Sequence, residues 1–358
     1  MLLGRIKPLT PLTFRSPRKM GIGDVVNTSG IIPITTLWGV VRTAVGNALG
    51  VVWEEYISNY KSSSVGQILG DPREYFSDKM VVSYPMWYKD GELYIRNFHT
   101  MIVAKRKKEN SDEEDDDYKV FVFNLENGVE EEFVINGKKR QLRIPALIDL
   151  PQQYEAVDGS VWMPFSEVLQ IMKDSVGEWV DVDVLKLSHY VKSYVHTGIG
   201  IDRTSRTVAK TSDGSGLVYR LQYLEFEEIE MAFWLKMNDE EKEKELVGYQ
   251  EVVHIGGKGG RALLTFEKWN ENWDRSGKHV VLLSPLDQKT TMESLFEFAS
   301  GATILMWNKI TGFYKHEKDK RIRPTKLVLP PGAVFWFDEK GLNRTKEFLK
   351  NHTIYMTY

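Results

Sequence analysis

The clearest pattern of hydrophobic and polar positions lies in residues 35–49, where apolar side chains recur at the i, i+3, i+4 and i+7 spacing of an amphipathic helix. The positions that follow this spacing are Leu37, Val40, Val41, Ala44, Val45, Ala48 and Leu49. Thr35 or Thr36 is expected to cap the N-terminus of this helix, and Gly50 is expected to end it.

Shorter apolar or alternating segments predict strands. These segments are 93–96, 99–104, 119–123, 229–237, 261–266, 279–283, 302–307 and 333–337, and short helices are predicted at 165–175 and 291–299. Strands interleaved with a few helices favour an α+β fold, with antiparallel sheets covered on one face by helices. The order fits two ferredoxin-like (RRM-like) domains, each a β-α-β-β-α-β unit.

Runs of charge mark the predicted divisions of the chain. The acidic stretch 238–245 separates a predicted N-terminal domain, residues 1–237, from a C-terminal domain, residues 238–358. The N-terminal domain holds an insertion of about 60–190, which carries no recognisable motif and whose role stays open. Its acidic run, 111–117, is expected to be solvated.

Composition excludes several classes of protein. The chain has 358 residues, 42% of them hydrophobic, and no cysteine, which excludes disulfides, cysteine-ligated zinc and thiol catalysis. No stretch reaches the roughly 18–20 apolar residues of a membrane span, and the N-terminus does not resemble a signal peptide. A cytoplasmic protein with no membrane association is therefore expected. The net charge of −3 does not indicate a protein coated by nucleic acid. However, two acidic clusters hold many of the carboxylates, and the remainder of the chain is net basic, which allows a local cationic groove.

Residues 254–262, His-Ile-Gly-Gly-Lys-Gly-Gly-Arg-Ala, suggest a phosphate-binding loop. Glycine lets a backbone approach another molecule closely and direct its N–H groups at phosphate oxygens, and the lysine and arginine supply positive charge. The spacing is not that of a P-loop, and the strand that follows does not suit a dinucleotide fingerprint. A tight connection between two strands is the alternative. The candidate residues are Gly256, Gly257, Lys258, Gly259, Gly260 and Arg261.

Three further basic blocks lie beside glycine and hydroxyl residues. One follows a strand-like beginning at Leu2, Leu3 and Ile6. A second lies on the small-residue face of the predicted helix, formed by Gly39, Thr43 and Gly46, and a third lies in a long hairpin that begins at His196. Their cationic residues are Arg15, Arg18, Lys19, Arg42, Arg203, Arg206 and Lys210. Arginine and lysine beside exposed N–H groups hold a sugar-phosphate chain without reading all its bases. Nearby Trp38, Tyr219 and Tyr223 are candidates for stacking on bases, with core packing as the alternative.

No catalytic or metal-binding constellation stands out. The motifs of serine hydrolases and zinc proteases are missing, and the acidic run 111–117 is more typical of a solvated surface than of a magnesium site. His196 and His254 flank candidate binding segments, and either is a conceivable general acid or base of a metal-independent ribonuclease. A structural or hydrogen-bonding histidine is the alternative. No cofactor is expected.

Four blocks, taken together and in order, resemble the RAMP superfamily of CRISPR-associated proteins, and within it the family of the third subunit of the Cmr (type III-B) effector complex. These blocks are Phe-Arg-x-x-Arg-Lys at 14–19, Pro-x-Thr-Thr-x-Trp-Gly-x-x-Arg-Thr-Ala at 33–44, His-x-Gly-Ile-x-Ile-Asp-Arg-x-x-Arg-Thr at 196–207, and Gly-Gly-Lys-Gly-Gly-Arg-Ala at 256–262. The glycine loop departs from the family at Lys258, where an acidic residue is more usual.

The resemblance implies a non-catalytic subunit that has two ferredoxin-like domains and grips the 5′ handle of a guide RNA. Its partners would be a large polymerase-like subunit and the backbone RAMP subunit of the Cmr filament. The family's glycine-rich loop would correspond to 256–260, and its thumb-like hairpin to about 197–218. His196 would contact RNA with the basic residues named above.

Two alternatives remain. Related RAMP proteins cut precursor guide RNA, so the chain is alternatively a metal-independent endoribonuclease. It is otherwise a protein–protein scaffold that makes no direct RNA contact, with its arginines paired to acidic partners.

Overall fold

The computed structural model describes the chain with several gaps. The described residues are 1–14, 25–26, 30–59, 66–71, 74, 77, 79–107, 117–135, 137–146, 148–157, 159–199, 218–257, 259–270, 273, 276–303, 307–310, 313–314, 321–322 and 326–358.

Strands supply most of the regular structure within these ranges. They are β1 (Leu2–Pro8), β2 (Val25–Val26), β3 (Met80–Val82), β4 (Met86–Lys89), β5 (Glu92–Arg96), β6 (Met101–Arg106), β7 (Tyr118–Val122), β8 (Val129–Ile135), β9 (Lys138–Ile144), β10 (Tyr154–Ala156), β11 (Trp162–Pro164), β12 (Trp179–Asp181), β13 (Val191–Ile199), β14 (Val218–Phe226), β15 (Glu230–Met237), β16 (Gln250–His254), β17 (Arg261–Lys268), β18 (His279–Leu282), β19 (Gly301–Ala302), β20 (Asn308–Ile310), β21 (Phe313–Tyr314), β22 (Arg321–Ile322), β23 (Lys326–Val328), β24 (Val334–Trp336) and β25 (Tyr355–Thr357).

Helices are fewer and mostly short. They are α1 (Ile34–Ala48), α2 (Trp53–Asn59), α3 (Gly66–Leu69), α4 (Phe165–Asp174), α5 (Glu240–Glu245), α6 (Gln288–Thr291) and α7 (Glu339–His352), with 3₁₀ turns at Leu125–Asn127 and Leu187–His189 and a π-helical turn at Met292–Phe296. The fold is therefore α+β, as the sequence predicts. Within the described ranges, no helix is long and apolar enough to cross a membrane.

The first sheet is antiparallel and has the order β11-β5-β4-β15-β1-β17-β16, with β3 also paired to β15. Because β1 and β3 are both antiparallel to β15, they run parallel to each other on either side of it. Likewise, β15 and β17 run parallel on either side of β1. Helix α1 lies in the connection from β1 to β3, and α5 lies in the connection from β15 to β17.

The second sheet has the order β25-β18-β24-β19-β9-β8. Its first four strands repeat the arrangement of the first sheet: β18 and β19 run parallel on either side of β24, and β24 and β25 run parallel on either side of β18. Helix α6 and the π-helical turn lie in the first of these connections, and α7 lies in the second. Strands β8 and β9 of the insertion extend this sheet through a parallel pairing of β9 with β19.

Three hydrophobic clusters order the molecule into layers. The first packs α1 against one face of the first sheet, with Phe233 at its centre. The second lies between the two sheets. It contains Trp234 from the first sheet, Trp336 from the second sheet and side chains of α4. The third packs α7 and the π-helical turn against the outer face of the second sheet, around Phe335. Alternating residues of each strand thus enter opposite layers, because successive strand side chains point to opposite faces.

The predicted division at 237 and 238 is crossed by the first sheet, because β17 pairs with β1 along its whole length, from Leu2↔Lys268 to Pro8↔Ala262. The first strand after β17, β18, begins at His279 and belongs to the second sheet. The insertion of 60–190 is spread over both sheets and a separate four-stranded sheet of β10, β6, β7 and β12. The division of the chain into domains stays a prediction.

The N-terminus of helix α1 differs from the prediction. The residue at its N-cap position is Pro33, which has φ −62° and ψ 141°, and no side chain of the described residues makes a capping hydrogen bond to the helix. Neither Thr35 nor Thr36 is the cap, because both lie inside the helix, and the carbonyl of Pro33 already accepts the N–H groups of Thr36 and Leu37 at 2.9 Å. The expected C-terminal stop is confirmed, since Gly50 follows the C-cap residue with φ 70°.

Candidate nucleic-acid interface

A short segment between β1 and the first basic block holds the glycine loop in place. We call residues 9–14 the strap. The strap and β17 exchange two hydrogen bonds: the N–H of Leu9 donates to the carbonyl of Arg261 at 2.9 Å, and the N–H of Arg261 donates to Oγ1 of Thr10 at 3.0 Å. Further along, the N–H of Gly257 donates to the carbonyl of Thr13 at 2.9 Å. The strap therefore fixes both ends of the loop.

The same segment reaches the long hairpin. Leu12 and Leu224 exchange backbone hydrogen bonds of 2.8 and 2.7 Å, which joins the strap to β14. Phe14, at the end of the strap, is buried and directly precedes the first basic block. One segment thus connects three of the four blocks that the sequence singled out.

Close packing against the strap explains the glycine at 256. Gly256 has φ 74°, and a Cβ atom there would lie 2.5 Å from the carbonyl oxygen of Thr13. Gly259 also has a positive φ, of 78°, but open space around it. Gly260 is buried, and a Cβ atom on it would overlap the carbonyl oxygen of Ile255. The loop requires glycine for backbone conformation at two positions and for close approach at two.

Two N–H groups of the loop point to no acceptor within the described part of the chain. Ile255 donates to the carbonyl of Gly260 at 2.9 Å, and Gly260 donates to that of Gly257 at 3.3 Å. The N–H groups of Gly256 and Gly259 have no such partner among the described residues, and both glycines are exposed. Backbone donors of this kind, next to the exposed side chain of Arg261, can bind an anion.

Helix α1 is tied to the edge strand that leads into the loop. Asn47 Nδ2 donates to Oε1 of Glu251 at 2.6 Å, and Trp53 Nε1 donates to Oδ1 of Asn47 at 2.9 Å. Gly46 is close-packed, since a Cβ atom there would lie 2.5 Å from the ring of Trp53. This end of the small-residue face therefore serves packing.

Arg42 is buried against a neighbouring segment. Its Nη2 donates to the backbone carbonyl of Glu74 at 3.2 Å, and its guanidinium lies 5.6 Å from the centre of the Trp38 ring. Trp38 is itself buried in the first hydrophobic cluster, in agreement with the core-packing alternative. The described position of Arg42 faces protein, and its contact with RNA stays a prediction.

The hairpin of β13 and β14 places His196 on its exposed surface. His196 pairs in register with Leu221, and its ring lies 6.2 Å from that of Tyr223. Tyr194 stacks on Tyr223 across the two strands. His254 is also exposed, at the end of β16 and opposite Arg261.

Several predicted RNA-binding residues lie outside the described residues. These are Arg15, Arg18, Lys19, Arg203, Arg206, Lys210 and Lys258. Within the described ranges, no group of three His, Cys, Asp or Glu side chains is arranged to hold a metal ion.

Sequence reasoning missed the strap and Tyr194. Pro8 and Pro11 bracket the beginning of the strap, which signals an end to regular pairing, but nothing local indicates contact with a loop about 250 residues away. Tyr194 lies in β13, and the sequence alone does not show which face of the hairpin is covered by the rest of the protein. Its exposure was therefore not predictable.

Comparisons with known proteins agree with the resemblance in the sequence. The family model described as CRISPR-associated protein (Cas_Cmr3) matches residues 4–285. No curated protein sequence matches the chain.

Three solved structures are similar to this chain over nearly its whole length. Two are cryo-EM structures of the Type III-B Cmr-beta bound to cognate target RNA, one of them also with AMPPnP. That one has 16% identity and a TM-score of 0.46, and covers 98% of this chain and 88% of the other. The second has 15% identity and a TM-score of 0.47, with coverages of 96% and 89%. The third is the Csm3–Csm4 subcomplex of the type III-A CRISPR–Cas interference complex, with 13% identity, a TM-score of 0.39 and coverages of 94% and 93%.

Proposed function

Because the chain belongs to the Cas_Cmr3 family of CRISPR-associated proteins, we propose that it is a non-catalytic, RNA-binding subunit of a type III-B Cmr ribonucleoprotein in antiviral defence. In this proposal it grips the 5′ handle of the guide RNA. The observation that carries the proposal is the glycine loop, whose two exposed N–H groups without acceptors in the described structure lie beside Arg261 and are held by the strap.

The sheet topology supports two ferredoxin-like units. In each sheet, the four strands of a β-α-β-β-α-β sequence lie in the order fourth, first, third, second: β17-β1-β15-β3 in one and β25-β18-β24-β19 in the other. We place the division between the units in the connection 269–278, because β16 and β17 pair in the first sheet.

Phosphate contacts would supply most of the affinity. Lys258 and Arg261 on the loop, the basic block 15–19 at the end of the strap, and the basic hairpin 200–217 would surround one RNA segment. Arg42 and His196 would contribute from α1 and β13. Contacts of this kind hold the sugar-phosphate chain in register and carry little base specificity.

The partners would be the large polymerase-like subunit and the backbone RAMP subunit of a Cmr filament, which the chain would join in the cytoplasm. The Cmr-beta structures to which it is similar are bound to target RNA, and this agrees with an RNA-containing assembly.

The salt dependence of RNA binding by the full chain tests the proposal. Each phosphate contact on a single strand contributes a slope of about 0.7 to the fall of log K with log salt. Lys258→Gln and Arg261→Gln should each weaken binding to a guide RNA with an intact 5′ handle and lower this slope by about that amount. Lys346→Gln, on the exposed surface of α7, is the matched control and should change neither.

Two results contradict the proposal. Unchanged affinity after removal of both loop charges, together with Arg203→Gln and Arg206→Gln, would favour a protein–protein scaffold. Cleavage of the RNA in the presence of a chelator, lost in His196→Ala or His254→Ala, would favour the endoribonuclease.

A further inference from the structure

Three aromatic rings lie together on one face of the hairpin formed by β13 and β14. Tyr194 and Tyr223 are directly opposite each other in register, and their rings stack with centroids 5.7 Å apart and planes 16° apart. The ring of His196 meets that of Tyr223 edge to face, at 6.2 Å and 83°. We call these three residues the ring cluster.

The exposure of the ring cluster is unusual for this chain. Tyr194 is 43% exposed, and it is the one exposed Phe, Trp or Tyr side chain among the residues whose exposure the structure describes. His196 is exposed as well, whereas Tyr223 is half-buried. By contrast, Trp87 and Phe233 of the first sheet and Phe335 of the second are completely buried. A group of rings left on the surface indicates a contact with another molecule.

The position of the ring cluster identifies the chemistry of that molecule. Tyr223 directly precedes Leu224, which joins the hairpin to the strap and thereby to the glycine loop. In the other direction, β13 leads into residues 200–217, where the sequence places Arg203, Arg206 and Lys210. The rings thus stand along the chain between two sets of phosphate-binding groups. Alternation of aromatic faces and phosphate contacts is the pattern with which proteins bind single-stranded nucleic acid.

We propose that Tyr194 and His196, each in ring contact with Tyr223, form a stacking platform for an unpaired base of single-stranded RNA. This inference rests on the proposed function and adds a base contact to a site otherwise made of phosphate contacts. Every base has a π-face, so the platform accepts any of the four bases and contributes affinity that does not depend on salt. A purely structural tyrosine pair across two strands would stabilise the hairpin and leave RNA binding unchanged.

Removal of the bases from the RNA isolates the stacking contact. The full chain is titrated with a short single-stranded RNA and with an RNA of the same length in which every position is abasic, which keeps the phosphates. Tyr194→Leu should weaken binding to the normal RNA about tenfold, leave the abasic RNA unaffected and keep the salt slope of the wild type. Tyr194→Phe is the matched control and should bind both RNAs as the wild type does, since its ring still stacks.

Three other outcomes would contradict the platform. Equal losses on normal and abasic RNA, with a lower melting temperature, would show that Tyr194 only stabilises the hairpin. Unchanged binding of the normal RNA by Tyr194→Leu and by His196→Leu would overturn the platform while the phosphate contacts stand. A wild-type chain that binds neither RNA would contradict the proposed function itself, and the platform with it.

Discussion

The two sheets of this molecule share one strand order but differ in the last connection of each unit. In the second sheet, β24 leads to β25 through α7, a helix of 14 residues whose buried residues cover the sheet. In the first sheet, β15 leads to β17 through α5, a helix of six residues with no buried residue, followed by β16 and the glycine loop. The strand order is the same in both units, and the difference lies in the last connection of each. The proposed binding groups of the glycine loop therefore lie in the connection of one unit, on a strand order that both units share.

The two units also differ in how their first strands are packed. Gly4→Ala tests this difference, and its expected effect on the free energy of unfolding is the largest of these predictions. A Cβ atom at this position of β1 would overlap the ring of Phe233, which is completely buried. Because the ring has no free space, the free energy of unfolding should fall by about 3 kcal/mol. The control is Gly39→Ala, at an exposed position of α1 with open space, which should stabilise the chain by up to about 1 kcal/mol. Equal stabilities of the two variants in denaturant titrations would contradict this account.

The first strand of the second unit depends on a histidine instead. His279 is buried, accepts a hydrogen bond from the N–H of Leu125 at 3.0 Å, and stacks on Tyr358 at 4.6 Å. Burial lowers the pKa of His279 from 6.5 to about 4, since the charged form is desolvated. The unfolded chain therefore takes up a proton before the folded chain does. Stability should be full above pH 6.5 and fall by up to about 3 kcal/mol as the pH drops from 6.5 to 4.

Unfolding titrations at a series of pH values check this dependence. In His279→Gln, which has no proton to gain, this part of the pH dependence should disappear. A wild-type stability that rises on acidification through this range would contradict the assignment.

Within the loop, Gly256→Ala and Gly259→Ala separate close packing from backbone conformation. Both positions have a positive φ, but only Gly256 lies against the strap. We expect a loss of about 2 kcal/mol for Gly256→Ala and about 1 kcal/mol for Gly259→Ala, in which the conformational cost acts alone. Thermal unfolding measures both. A larger loss in Gly259→Ala would show that the strap does not support the loop.

Removal of a strap hydrogen bond should have the smallest effect. Thr10→Val keeps the shape of the side chain but removes the oxygen that accepts the N–H of Arg261. The expected loss is about 1 kcal/mol of stability, because the N–H can reach water at this exposed position. RNA affinity should fall in parallel if the strap holds Arg261 in its binding position. Hydrogen exchange at Arg261 measures the local change, and unaltered protection would argue against this contact.

Local patterns predicted much of the fold. The spacing of apolar residues predicted α1, and the strands at 93–96, 229–237 and 261–266 lie within one residue of β5, β15 and the start of β17. These elements were predictable because their burial follows from periods of 3.6 and 2 residues.

Long-range pairing accounts for what sequence patterns did not reveal. The insertion places β9 beside β19, more than 150 residues away, through a parallel contact that no local signal marks. Of the predicted helix 291–299, the first residue ends α6, residues 292–296 form a π-helical turn, and residues 297–299 lie outside both. Of the described residues in the predicted strand 302–307, only Ala302 lies in a strand, at the end of β19. Arg42 lies on a helix face that the sequence left open, and its burial depends on the position of Glu74. The glycine loop was identifiable by composition, whereas its attachment to the strap required the structure.

Crosslinking with mass spectrometry tests the central claim most directly. The sample is the protein assembled with its proposed partner subunits and a guide RNA with an intact 5′ handle. We predict crosslinks from residues 196–210 and 254–262 to nucleotides of the handle. Crosslinks from these segments to partner subunits alone, with none to RNA, would contradict it and leave a protein scaffold as the function.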